Sequence, residues 1–139
     1  MTTFVDTRDW PLARLVMPEH VADAEAEGHI AQLVALYDRQ ERFVLLLAGA
    51  ELPRHSPAFM KAYAQWSMST LELARRYCLG AVRVEPDAAQ REAYRHRAEQ
   101  AAKAGAHAYP YEIVADAQAA DDLARRWLGA GEAATAERS

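Results

Sequence analysis

The chain has little of three features that would each indicate a familiar class of protein: cysteine, long hydrophobic runs and basic charge. Its one cysteine, Cys78, can form neither an internal disulfide nor a metal cluster, so we expect a reducing, cytoplasmic location. No apolar run approaches the roughly 18 residues that cross a bilayer, and the chain start lacks the basic flank and apolar stretch of a signal peptide. A formal net charge of -4 argues against a surface that tracks phosphates. We therefore expect no membrane span, no secretion and no nucleic-acid partner.

Bulky apolar side chains are scarcer than the composition suggests. Hydrophobic residues make up 51% of the 139 residues, but 31 of them are alanines, which bury little area. Nine of these alanines lie between Ala88 and Ala108, where Tyr94 is the only bulky apolar residue before Tyr109. We therefore expect a helix over 88–104 that is the most exposed element of the fold.

The remaining hydrophobic patterns alternate between those of strands and helices. Short apolar and alternating runs predict five strands, over 4–9, 13–17, 43–47, 79–84 and 109–114. Apolar spacing of three and four residues predicts four helices, over 19–37, 57–77, 88–104 and from 116 onward. The run over 43–47 is apolar throughout, which is typical of a central strand buried on both faces.

This order of elements predicts a single α/β domain over residues 1–129. We expect a mixed β-sheet of about five strands with about four helices, in which the first two strands form a hairpin. The tail over 130–139 has no bulky apolar residue to anchor it, and we expect it to be disordered.

Several local strings carry a family resemblance that covers roughly residues 4 to 129. They are Trp10-Pro-Leu-Ala-Arg-Leu-Val-Met-Pro18, Glu41-Arg-Phe-Val-Leu-Leu-Leu47, Trp66 with Arg75-Arg-Tyr-Cys-Leu-Gly-Ala-Val82, and Tyr109-Pro-Tyr-Glu-Ile-Val-Ala-Asp116 with Leu123, Trp127 and Leu128. Together with the element order, they resemble the STAS-like group of small bacterial proteins, related to anti-sigma-factor antagonists and more distantly to CRAL-TRIO lipid-transfer domains. These are core and turn strings, so the resemblance is informative about fold rather than activity.

The resemblance implies a non-enzymatic regulatory module that binds a protein partner. In the antagonist proteins, phosphorylation of a serine at the start of the helix after the central strand releases the partner. Ser56 has that place in the element order, which makes Glu51, Arg54, His55 and Ser56 the candidate interaction or phosphorylation residues. The aspartate that usually precedes this serine is absent here, and the residue pattern favours a serine that only caps the helix.

Other chemistries find little support in the residue pattern. His55 and Ser56 beside Glu51 supply the residue types of a hydrolase, but no Gly-x-Ser-x-Gly elbow is present, so we expect no catalytic residues. The sequence contains no glycine-rich phosphate-binding loop, so we expect no cofactor. The histidines lie nine or more residues apart and predict no metal site: His20, His29, His55, His96 and His107. The arginines of the 88–104 helix are interrupted by Glu92 and Glu99, as on a solvated helix face.

The leading interpretation is a non-catalytic, STAS-like regulatory or adaptor domain that acts by protein–protein binding, with self-association into a homo-oligomer left open. The first alternative is a small carrier of an apolar ligand or lipid, with Phe59, Tyr63 and Trp66 lining its pocket. The second alternative is a small oligomeric enzyme. Cys78, next to a predicted strand, is expected to be buried packing rather than a nucleophile.

Overall fold

A five-stranded mixed sheet lies at the centre of the fold. The computed structural model describes residues 4–50, 52–105 and 109–138, with side chains up to residue 130. The strands are β1 (Val5–Asp6), β2 (Leu12–Met17), β3 (Phe43–Gly49), β4 (Cys78–Val84) and β5 (Tyr111–Val114). The helices are α1 (Ala26–Asp38), α2 (Pro57–Ser69), α3 (Leu71–Tyr77), α4 (Ala88–Lys103) and α5 (Ala117–Arg138), and a 3-10 turn (Asp23–Glu25) precedes α1. The predicted α/β fold class is confirmed.

The strands lie side by side in the order of the chain, β1-β2-β3-β4-β5. β1 and β2 are antiparallel, as in the predicted hairpin, whereas β2 to β5 run parallel. β3 is the middle strand, and its first four residues are at most 7% exposed. The prediction of a central strand buried on both faces is therefore confirmed.

Helices cover both faces of the sheet. On one face, Phe43 and Leu45 of β3 belong to a core that also contains residues of α1, α2 and α3. On the other face, Val44 and Leu46 pack in a second core with Ala124 of α5. Because successive strand residues point to opposite faces, β3 must supply an apolar side chain at every position.

The predicted helix over 57–77 is two helices, α2 and α3, which meet at Thr70. The hydroxyl of Ser69 donates to the carbonyl of Trp66 at 3.0 Å, and the amide of Thr70 instead bonds the carbonyl of Ser67 at 3.3 Å. A serine that takes a nearby backbone carbonyl in this way competes with the helical hydrogen bond. The described residues therefore form five helices, whereas about four were expected.

The start of α1 and the end of α5 also differ from the predicted helix bounds. The helix predicted from residue 19 begins at Ala26. Before it, Val21 is buried in the core, and the backbone is extended at Ala22 and then forms the 3-10 turn. At the other end, α5 includes residues 130–138 and ends at Arg138, beyond the end of the predicted helix. Alanine has the highest helix propensity, and this segment contains four alanines. Among the residues described, no helix combines the length and apolarity needed to span a bilayer.

α4 buries little of itself, as its alanine-rich sequence predicts. None of its residues is buried. Arg91 donates to the carbonyls of Glu85 at 3.0 Å and Pro86 at 2.7 Å in the loop before α4, and Arg95 donates to the carbonyl of Ile113 in β5 at 3.2 Å. Hydrogen bonds to backbone carbonyls thus supplement the small apolar contact of this helix.

The contact between Gly80 and Trp127 gives a test of how α5 packs on β4. A Cβ atom at Gly80 would lie under 3.0 Å from three carbons of the Trp127 ring. We expect Gly80→Ala to lower the free energy of unfolding by about 1–3 kcal/mol, because the ring must leave its packed position. Chemical denaturation measures this change.

Gly28→Ala is the matched control. Gly28 lies inside α1, and an added Cβ would meet nothing within 4 Å. Alanine there should raise the free energy of unfolding by about 0.5–1 kcal/mol, since it has the better helix propensity. Equal effects of the two substitutions would contradict the described packing of Trp127.

Candidate functional site

The loop that the sequence singles out is divided between surface and core. Arg54 and His55 are exposed, whereas Ser56 is 0% exposed. Glu51 lies outside the described residues. The four candidates therefore do not form one exposed patch in the part of the loop that the structure describes.

Ser56 joins the start of α2 to the segment before α1. Its Oγ accepts a hydrogen bond from the amide of Val21 at 2.8 Å and lies 3.2 Å from Nδ1 of His20. It makes no side-chain bond to the amides of α2, so the hydroxyl is not the helix cap that the residue pattern favours. A kinase or a substrate cannot reach the Ser56 hydroxyl in this conformation, because the residue has no exposed surface. The histidine near Ser56 is His20, which the sequence did not identify, rather than the neighbouring His55.

A cleft of about 430 Å³ lies beside α2 and α3, on the sheet face that those helices cover. Tyr63, Trp66, Tyr109 and Tyr111 line it, and Ala101 of α4 contributes to its wall. Because interiors are close-packed, with few voids larger than a water molecule, an ordinary packing defect is much smaller than this cleft. We call it the aromatic cavity.

A second cavity, of about 70 Å³, adjoins the aromatic cavity. The two share five lining residues: Tyr37, Leu47, Tyr63, Trp66 and Tyr109. Arg83 also lines the smaller cavity, which we call the arginine cavity. None of the described residues that line either cavity is an aspartate or a glutamate.

The guanidinium of Arg83 is held by neutral groups. Nη1 donates to the carbonyl of Gly49 at 3.0 Å, Nη2 donates to the carbonyl of Ala50 at 3.1 Å, and Nε donates to the Tyr111 hydroxyl at 3.2 Å. Its Cζ lies 4.9 Å from the centre of the Tyr94 ring. The residue is only 4% exposed, and no carboxylate of the described residues lies within 4.0 Å of its nitrogens. Arg83 is thus a buried cation without a described anionic partner.

The sheet register and a backbone turn together produce this arrangement. Arg83 pairs with Leu47 across β3 and β4, so both side chains lie on the face covered by α1, α2 and α3. At the end of β3, Gly49 has φ +81°, and a Cβ there would collide with the carbonyl oxygen of Met17. Only glycine readily adopts this left-handed conformation in so little space. The turn leaves the carbonyls of Gly49 and Ala50 both bonded to Arg83.

Three tyrosines and one cysteine at or near the cavities stay uncharged at neutral pH. Burial raises the pKa values of the Tyr37, Tyr63 and Tyr109 phenols. Burial also raises the pKa of the Cys78 thiol to about 12. Cys78 is 3% exposed and is therefore buried packing, as predicted, since a protonated thiol is a poor nucleophile. The phenols can serve as neutral hydrogen-bonding groups.

Two of the three aromatic residues that the sequence suggested as a pocket lining do line a cavity. Tyr63 and Trp66 line both cavities, whereas Phe59 is fully buried in the core and lines neither. The sequence did not identify Arg83 or Tyr111 as site residues. The alternation of Val82, Arg83 and Val84 is typical of a strand with one exposed face, whereas β4 lies between β3 and β5 and buries Arg83.

The described chain gives no indication of a metal centre. Within residues 4–50, 52–105 and 109–138, no three His, Cys, Asp or Glu side chains gather in a way that would hold a metal ion. Comparisons with family models, with curated proteins and with solved structures find no match to the chain. The function is therefore argued from the geometry of the cavities.

Substitution of Ser56 tests its structural role. We expect Ser56→Ala to lower the free energy of unfolding by about 1–3 kcal/mol, because the buried amide of Val21 loses its acceptor. Thermal or chemical denaturation measures the change. His55→Ala, at the exposed neighbouring position, should change stability by about 0.5 kcal/mol or less. Equal stability of wild type and Ser56→Ala would contradict the buried hydrogen bond.

Proposed function

We propose that the protein binds a small, largely apolar molecule in the aromatic cavity. The observation that carries this proposal is the cleft of about 430 Å³ lined by Tyr63, Trp66, Tyr109 and Tyr111. Ligand sites are typically clefts of about 300–1,000 Å³ lined by apolar and aromatic side chains with a few polar groups. The aromatic cavity has this size and composition.

The arginine cavity lies toward one end of the sheet. Met17, Leu47 and Arg83, near the carboxyl ends of the parallel strands β2, β3 and β4, line it. The strand order β1-β2-β3-β4-β5 has no topological switch point, where ligands of open α/β sheets commonly bind. The proposal therefore depends on the lining residues and not on the fold class.

The regulatory or adaptor function expected from the sequence remains a prediction. It rests on the STAS-like resemblance, as does the expected protein partner. Binding of a small molecule is compatible with such a role, because a ligand that binds one conformation preferentially shifts the protein toward it. The proposal for the cavity does not depend on that wider role.

A neutral fluorescent probe, N-phenyl-1-naphthylamine, tests for an apolar binding site. We expect saturable binding to the full chain, measured by the rise in probe fluorescence. Ala101→Phe should weaken binding by about tenfold or more, because the ring projects from α4 at a position that lines the cavity.

Gln100→Phe is the matched control, since residue 100 is the exposed neighbour on the same helix. It adds the same ring and should leave the probe affinity unchanged. Circular dichroism checks that both variants retain the fold. Equal affinity of Ala101→Phe and wild type, or no saturable binding to wild type, would contradict the proposed site.

A further inference from the structure

The buried cation beside the aromatic cavity indicates the chemical class of the ligand. We infer that the ligand is an amphipathic carboxylic acid, whose carboxylate pairs with Arg83 while its apolar body occupies the aromatic cavity. This inference rests on the proposed function, because it assigns the ligand of that same site.

The buried side chain of Arg83 is positively charged, as arginine side chains are in proteins. A buried charge is unfavourable unless a partner compensates it. The carbonyls of Gly49 and Ala50 and the hydroxyl of Tyr111 provide dipoles but no negative charge. The described parts of the chain place no carboxylate within 4.0 Å of the guanidinium. An anionic ligand would supply the negative charge that the described residues do not place beside Arg83.

The described hydrogen bonds of Arg83 use only part of its donor capacity. A guanidinium has five N–H donors, and the three bonds of Arg83 leave two of them for a ligand. Arginine and a carboxylate commonly form paired, charge-assisted hydrogen bonds. The arginine site therefore has donors of the kind that bind a carboxylate.

The arginine cavity is small and lies beside the larger aromatic cavity. The arginine cavity has a volume of about 70 Å³, roughly twice the 30 Å³ share of a water molecule in the liquid. That space suits a head group rather than a whole ligand. The shared walls formed by Tyr63, Trp66 and Tyr109 place the larger aromatic cavity next to it. A ligand that spans both cavities would place its head group at the guanidinium and its apolar body in the aromatic cavity.

The amount of charge favours a carboxylate over a phosphate monoester. One guanidinium balances one negative charge, whereas a phosphate monoester carries about 1.5 to 2 negative charges near neutral pH. The ionisable groups of the wall shared by the two cavities are Tyr37, Tyr63 and Tyr109, whose phenols stay neutral because burial raises their pKa values. A monoanion therefore matches the site better than a dianion.

Decanoate and decanol are suitable probes, because they share one alkyl chain and differ in the head group. Calorimetric titration of the full wild-type chain at neutral pH should show decanoate binding about tenfold or more tightly than decanol. Decanol partitions more readily into apolar surroundings, so apolar burial alone predicts the opposite order. The wild-type comparison needs no variant to fold.

Arg83→Gln tests the assigned residue. It should remove the preference for decanoate, so that the ratio of the decanoate affinity to the decanol affinity falls by about tenfold or more in the folded variant. Arg95→Gln is the matched control, because Arg95 also donates to a backbone carbonyl but lies on the exposed part of α4 and does not line either of these cavities. That variant should keep the preference.

The outcomes separate this inference from the proposed function. If N-phenyl-1-naphthylamine binds but decanoate binds no more tightly than decanol, the carboxylate assignment is wrong and the apolar site stands. A preference for decanoate that persists in a folded Arg83→Gln variant would also overturn the assignment. If neither the fluorescent probe nor decanoate and decanol bind, the proposed function fails, and the inference fails with it.

Discussion

The buried guanidinium of Arg83 connects the segments that meet near the carboxyl end of the sheet. It bonds the carbonyls of Gly49 and Ala50 at the end of β3 and the hydroxyl of Tyr111 in β5, and it lies against the ring of Tyr94 in α4. Removing a charge from water costs free energy, which dipoles and an aromatic ring offset only in part. The arrangement of β3, β5 and α4 around the cavities therefore depends on how this one charge is stabilised.

The helical layer above Arg83 leaves space where a fully packed core would have none. The break between α2 and α3 places Thr70 and Leu71 in the wall of the aromatic cavity, and the Ser69 hydroxyl competes with the helical bond at that break. On the opposite side, α4 contributes Ala101, a short side chain that fills little volume. A local hydrogen bond and an alanine-rich helix thus leave an apolar space near a buried cation.

The strands were largely predictable from sequence because their signals are local. The all-apolar run of β3 and the alternation within β4 depend only on neighbouring residues. The break at Thr70 depends on one hydroxyl bond, which apolar spacing does not record. The site was harder to predict, since Tyr63 and Tyr109 lie in distant segments that only the folded sheet brings together. Arg83 resembles an ordinary surface arginine until its strand is known to be covered on both faces.

The central claim is that one ligand places an anionic head group at Arg83 and its apolar body among the aromatic side chains. A crystal structure of the full chain with bound decanoate tests it most directly. The account predicts carboxylate oxygens within hydrogen-bonding distance of the Arg83 guanidinium and an alkyl chain against Tyr63 and Trp66. Decanoate bound elsewhere, or bound with its carboxylate turned away from Arg83, would contradict the account.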